Sequence, residues 1–227
     1  MDAVEAKYRH KTDEQLAEAL SLQALDDKQW KRVKLKKGVL VQKRKYKDTG
    51  FNIVKGSVVM PFPFEAVWRA GVDISLRTRV DKTVGFAAVL RMFGEDMRFV
   101  HIITNKVAVV SPRNFVTCGV EKTLSDRARI QISTSVDPSD WVLDGEKGTR
   151  GLLHLGSFYV EKVDDNNTKV IYMACADPKG KILKSLVNNS SSRSVAYLGR
   201  LREFLEKGVI DDKDDDEDEG EAGADDD

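Results

Sequence analysis

Cysteine, histidine and proline are scarce in this chain: its 227 residues include two, three and five of them. Cys118 and Cys175 stand 57 positions apart with no Cys-x-x-Cys and no neighbouring histidine, so neither a disulfide framework nor a zinc site is expected, and both read as buried strand thiols. No apolar run approaches the ~18 to 20 residues of a membrane span, and residues 1–20 lack the apolar stretch of a signal peptide. The chain is therefore expected to be cytoplasmic. Phosphate-cradling Gly-Lys loops, a Gly-x-Ser-x-Gly elbow and metal-ligand spacing are also missing, and Gly145, Gly148 and Gly151 do not follow a strand in a dinucleotide pattern. No catalytic residue, metal or cofactor is expected.

Charge is abundant but segregated. Residues 211–227 hold 12 acids against Lys213, a net of −11, whereas the remaining 210 residues carry 36 Lys and Arg against 25 Asp and Glu, a net of +11. A segment this acidic cannot bury enough surface to offset its ordering entropy, so it is expected to be a disordered tail that either solubilises the chain or competes with anionic partners for the basic body. The expected division is residues 1–27 as a helix and lead-in, 28–210 as the main domain and 211–227 as the tail.

Periodicity supplies the elements. Residues 12–25 read as a helix capped by Thr12, with Gln15 completing a capping box and Leu16, Leu20 and Ala24 as its stripe. Residues 28–47 contain ten Lys or Arg and no acid, alternate in polarity and turn at Gly38, which describes a basic hairpin. A third strand over 53–60 ends at Pro61 and Pro63, before a helical pattern of Phe64, Val67, Trp68 and Val72. Three further strand pairs follow, over 84–104, 115–136 and 152–176, and residues 182–207 read as one long amphipathic helix. About nine mostly antiparallel strands with a C-terminal helix make an α+β fold in which the helix covers the concave face of a curved sheet. Periodicity leaves open whether that space is solid or hollow, because a tunnel wall and a core wall are equally apolar.

Four segments in order resemble a START domain, the lipid-transfer module related to steroidogenic acute regulatory protein. They are Ser111-Pro112-Arg113-Asn114-Phe115-Val116, Leu155-Gly156-Ser157-Phe158-Tyr159-Val160, residues 168–172, and Asp177-Pro178-Lys179-Gly180 with Leu186-Val187-Asn188. The resemblance implies a helix-grip fold with an internal lipid tunnel. It also implies binding of a single lipid and its transfer between membranes, without covalent chemistry. Phospholipid is the favoured ligand, with sterol or ceramide as alternatives, carried by a monomer that touches anionic membrane surfaces transiently as a peripheral protein.

By that resemblance Arg77 and Asp81 fall where the phosphatidylcholine-transfer member holds its lipid's phosphate, and their i, i+4 spacing equally suits an internal salt bridge. At the places aligned with that member's choline box stand Ile102, Phe115, Thr117 and His154, a set with a single phenyl ring. Met173, Ser194, Tyr197, Leu198 and Leu201 complete the expected tunnel wall. Steroidogenic members carry an acid and an arginine on adjacent tunnel strands, but Gly119 occupies the arginine's place here and residues 97–104 offer no acid. The gate is expected at the hairpin loop of residues 121–129, with Leu124 offered to the membrane and Lys122, Arg127 and Arg129 near lipid phosphates. The alternatives are a basic nucleic-acid-binding protein using residues 28–47, which lack exposed aromatic stacking, and a helix-grip hydrolase or cyclase. A carrier without nucleic acid is the preferred reading.

Overall fold

A computed structural model describes residues 2–36, 38–106, 110–143 and 148–208. Helix α1 (Ala3–Ala24) is followed by strands β1 (Lys31–Lys36), β2 (Val39–Lys45) and β3 (Asn52–Met60), helices α2 (Phe64–Val72) and α3 (Arg77–Val80), and strands β4 (Val84–Phe93), β5 (Met97–Thr104), β6 (Arg113–Ser125) and β7 (Ala128–Ser135). The two-residue β8 (Thr149–Arg150), β9 (Leu152–Lys162), β10 (Thr168–Asp177), α4 (Lys184–Ser190) and α5 (Ala196–Glu206) complete the order. Among the described residues the sheet has ten strands in the order β1-β2-β3-β10-β9-β7-β6-β5-β4, with β8 attached in parallel to β6 and every other pairing antiparallel. The one addition to the expected strand set is β8.

Two helical readings are corrected. The N-terminal helix begins at Ala3, where the Asp2 carboxylate accepts a hydrogen bond from the Val4 amide at 3.0 Å. Thr12 therefore lies inside the helix, its hydroxyl donating to the Tyr8 carbonyl at 2.8 Å. The C-terminal helix is interrupted by a 3-10 turn at Ser191–Arg193. There the hydroxyls of Ser190, Ser191 and Ser194 donate back to the Leu186, Asn188 and Ser191 carbonyls, a competition with regular helix bonding that serine favours.

Alternation splits the sheet residues between two faces. On the outer face α1 lays Leu16, Ala19 and Leu22 on Ile53, Ile130, Ile132, Leu155, Met173 and Cys175, and Tyr8 packs with Met97, Phe99 and Cys118. Burial pushes both thiols up to about 12, which leaves them unreactive. On the inner face α2 and α5 pack Val67, Trp68, Leu198 and Leu201 against Val54, Val58, Phe158 and Val170. Gly71 is required in α2, since a Cβ there would lie 2.2 Å from the Phe158 ring.

Candidate lipid-binding site

Beside that inner-face core the packing opens. A cavity of about 100 Å³ lies under the loop between α2 and α3, walled by Arg98, Val100 and Ile102 of β5, Thr117 and Gly119 of β6, Gln131 and Ser133 of β7, Ser157 and Phe158 of β9, Tyr172 of β10, Arg77 and Tyr197. A second cavity of about 230 Å³ continues along the same face toward α4, between Phe51, Val54, Phe115, Ala174, Ala176, Val187 and Ser194. A third, open groove of about 540 Å³ runs along edge strand β4 and shares Val72, Asp73, Ile74 and Arg98 with the first. The β4 residues facing it, Val89 and Met92, are 44% and 48% exposed, so the concave face is left uncovered at this edge. The continuous tunnel expected from sequence is thus present as separate lobes, because α5 and α2 fill the middle of the concave face with side chains.

The charged residues of the first lobe's wall are Arg77, Arg98 and Asp73. Arg77 sits with its guanidinium carbon 4.3 Å from the centre of the Tyr197 ring and one nitrogen 3.6 Å from an Asp81 oxygen. Asp81, 4% exposed, is occupied more closely by Arg200 at 2.9 Å and by the amide and hydroxyl of Thr83 at 3.0 and 2.7 Å. Arg98 forms an ion pair with Glu121 and donates to the Val72 carbonyl at 2.9 Å, tying the C-terminal end of α2 to the sheet. Burial pushes the Tyr197 hydroxyl up to about 12 against the opposing charge of Arg77, so it remains a neutral donor, to the Gly71 carbonyl at 3.0 Å. Arg77 Nε, Arg98 Nε and Ser157 Oγ are buried without a hydrogen-bond partner among the described residues. Such groups are rare in finished cores and common where a ligand or water completes the set.

The structure gathers Arg77, Ile102, Thr117 and Tyr197 around the first lobe and Phe115 and Ser194 around the second. Asp81 stands behind Arg77 as its salt-bridge partner, outside both walls, so the internal pairing is realised while Arg77 still faces the lobe. Leu198 and Leu201 are fully buried in the inner-face core. His154 and Met173 need correction, since both lie on the outer face. His154 is the extra residue of a β-bulge opposite Cys175 and Ala176, which turns its ring toward Tyr46 and Phe51, and Met173 has the opposite parity to inward-facing Tyr172 and Ala174.

At the β6–β7 hairpin Leu124 is 38% exposed, but its basic neighbours have partners within the protein. Lys122 pairs with Asp13 at 3.2 Å, Arg127 donates to the Lys162 and Val163 carbonyls, and Arg129 pairs with Glu65 at 2.8 Å over the rings of Phe64 and Trp68. Sequence reasoning missed Arg98 and Glu121. Arg98 on β5 stands directly opposite Gly119 on β6, and its ion-pair partner Glu121 follows two residues after Gly119, on the same face. A search of 97–104 for an arginine as well as an acid would have found it.

A curved antiparallel sheet closed by a C-terminal helix over internal cavities is a helix-grip fold. The chain belongs to the START domain family, whose match covers residues 11–207. Human StAR-related lipid transfer protein 5 superimposes with a TM-score of 0.82 at 20% identity, over 90% of this chain and 99% of that one. Human STARD10 superimposes with a TM-score of 0.73 at 16% identity, over 84% and 78%. A Streptomyces aromatase/cyclase, Zhui, reaches a TM-score of 0.50 at 13% identity, over 69% and 94%. No curated protein sequence matches the chain. No described helix is long and apolar enough to cross a membrane, and no group of His, Cys, Asp and Glu among the described residues could hold a metal ion.

Proposed function

We propose that the protein binds one lipid molecule on the inner face of its sheet, with the head group at Arg77 and Arg98 and hydrocarbon in the lobe beside Phe115, and carries it between membranes. Family membership supports lipid binding in general. The observation that carries the specific reading is the buried, incompletely paired arginine pair next to an apolar lobe on the same strands. Hydrocarbon leaves water equally in a bilayer and in an apolar lobe, so extraction is close to neutral in free energy and its rate depends on opening. Planar guanidinium forks suit a phosphate or carboxylate in a low-dielectric site, which favours a lipid with an anionic group, as in a phospholipid.

The uncovered strip of β4 and the α2–α3 loop, whose α2 end is held by Arg98, form the widest approach to the first lobe, and Leu124 offers a further apolar contact to a membrane surface. We read the protein as a monomeric, peripheral, cytoplasmic carrier rather than an enzyme. His101 meets Asn114 at 3.0 Å and His154 faces the outer core, so neither reaches the cavity with an acid as cyclase or hydrolase chemistry would need. The acidic tail, expected to modulate docking of the basic body, lies outside the described residues.

Movement of mass-labelled lipids from mixed donor vesicles of diacyl phospholipid, lysophospholipid and fatty acid to acceptor vesicles tests this reading. The protein is expected to accelerate transfer of a charged lipid, and Arg77→Ala to reduce that acceleration about tenfold with the circular dichroism spectrum unchanged. Transfer no faster than in protein-free controls contradicts it, and full transfer by Arg77→Ala removes Arg77 from the site.

A further inference from the structure

The β1–β2 hairpin, at the opposite edge of the sheet from β4, carries charge that the described residues do not balance. Residues 28–47 hold ten Lys or Arg, and the carboxylates that flank or touch them are Glu18, Asp26, Asp27 and Asp48, a net of +6. Three of these carboxylates are already engaged. Asp27 pairs with Arg32 at 3.1 Å and accepts from Gln42 at 2.9 Å, Glu18 pairs with Lys47 at 2.7 Å, and Asp26 accepts from the Lys28 amide. Residues 196–207, which carry α5 past the hairpin, add Arg200, Arg202 and Lys207 against Glu203 and Glu206, so they bring no surplus of negative charge.

One row of lysines is left over. Lys31 stands directly opposite Lys43 across the β1–β2 ladder, in the same parity as the Val33 and Val41 pair that faces the inner core, and Lys45 is the next residue of that face. The side chains of Lys31, Lys43 and Lys45 have no partner among the described residues. Like charges directly opposite on a ladder repel, and an anion placed between them relieves that repulsion. Because β1 is the outermost strand, a further segment can approach the row from its side.

The chain's own anion begins close by. The Arg202 guanidinium of α5 lies 3.4 Å from the point where a Cβ on Gly38, at the hairpin's turn, would stand, and Leu205 shares a core cluster with Val39. α5 therefore ends beside the turn, and Gly208 follows Arg202 by six residues, about 9 Å of helix rise. Residues 211–227, with their net of −11, come three positions later, outside the described residues. The strand from Gly38 to Lys45 is ~23 Å long. The 19 residues from 209 to 227 reach up to ~63 Å when extended, so the acids can cover the whole lysine row. Tethering also sets an effective concentration on the order of mM, at which exposed ion pairs too weak to hold separate molecules together suffice.

We infer that residues 211–227 lie along the inner-face edge of the β1–β2 hairpin, with their carboxylates on Lys31, Lys43 and Lys45, and occupy this surface against other polyanions. The inference stands independently of the lipid-binding reading.

Cys118 and Cys175 are both buried, so Gly220→Cys gives the full-length chain a single accessible thiol for a nitroxide label. The readout is paramagnetic broadening of amide signals in nitrogen-15 chains. At ~10 mM salt the amides of residues 31–33 and 41–45 are expected to lose about half their intensity or more while those of residues 3–12 in α1 keep theirs, and at 1 M salt, where the screening length falls to ~3 Å, the loss should vanish. The triple variant Lys31→Glu, Lys43→Glu, Lys45→Glu should abolish the low-salt loss. Broadening that is absent at low salt, spread evenly over the surface, or retained in the triple variant overturns the inference. So does broadening of a label-free nitrogen-15 chain by a spin-labelled nitrogen-14 chain mixed with it, which places the acids on a second copy. Should the triple variant fail to fold, the salt comparison on the unaltered lysines decides.

Discussion

The outer face of the sheet lies under one unbroken helix of 22 residues, whereas the inner face lies under α2, the short α3 and a C-terminal helix interrupted at Ser191–Arg193. Under α1 the packed side chains are mostly apolar; Gln15 donates to the Thr134 hydroxyl and the His154 carbonyl at 3.1 and 2.6 Å and the Tyr8 hydroxyl donates to Asp140 at 2.8 Å, while Gln15 Oε1, Gln23 Nε2, Trp30 Nε1 and His154 Nε2 are buried without a partner among the described residues. Under the inner helices the difference is voids lined by buried arginines, Arg77 and Arg98, each with an unpartnered Nε. The same strands thus serve two ends, one face supplying stability and the other keeping space and charge available at a cost to stability.

Substitutions on each face should separate these ends. The largest effect is expected from Leu155→Ala, which empties a fully buried outer-face site and should cost ~2–5 kcal/mol in denaturant unfolding. Gly71→Ala comes next: its methyl meets Phe158 at 2.2 Å, and overpacking of this kind costs ~1–3 kcal/mol while closing the wall of the small lobe, so calorimetry should show lower stability together with weaker lipid binding.

A smaller effect is expected from pH. Burial holds His154 below its ordinary value of 6.5, so the unfolded chain takes up a proton there before the folded one does. Stability should be complete above pH ~6.5 and decline as pH falls below it toward the lower folded value, and His154→Phe should flatten that part of the melting-temperature profile. An unchanged profile in the variant removes His154 as its source. The smallest change is expected from Ser157→Ala, which deletes a buried hydroxyl without a partner and should leave stability unchanged or raise it by up to ~1 kcal/mol, the opposite sign to Leu155→Ala. A loss like that of Leu155→Ala would mean that the two faces do not differ as described.

Much of this fold is written in alternation. The hairpins from β1 to β10 follow from period-two patterns and short polar turns, and the START resemblance supplied the curvature and closure that periodicity alone leaves open. What escaped has local causes. The first turns of α1 are masked by a mixed pattern, in which Tyr8 and Thr12 are buried among charged neighbours and Asp2 is the true cap. The break before α5 comes from serine hydroxyls bonding backward, which an apolar stripe does not reveal. One-residue parity sent Met173 to the wrong face, and one bulge did the same for His154. The Arg98 and Glu121 pair depends on cross-strand register, which sets Arg98 against Gly119 and is invisible in a single strand. Hollow and solid interiors share a pattern, so the size of the lobes had to come from packing.

Native mass spectrometry of the full-length chain after incubation with mixed lipid vesicles tests the central claim most directly. The account predicts a species one lipid heavier than the 25.4 kDa polypeptide, with a single lipid per chain that organic extraction releases unaltered. Only the bare polypeptide mass, before and after exposure to lipid, would contradict it.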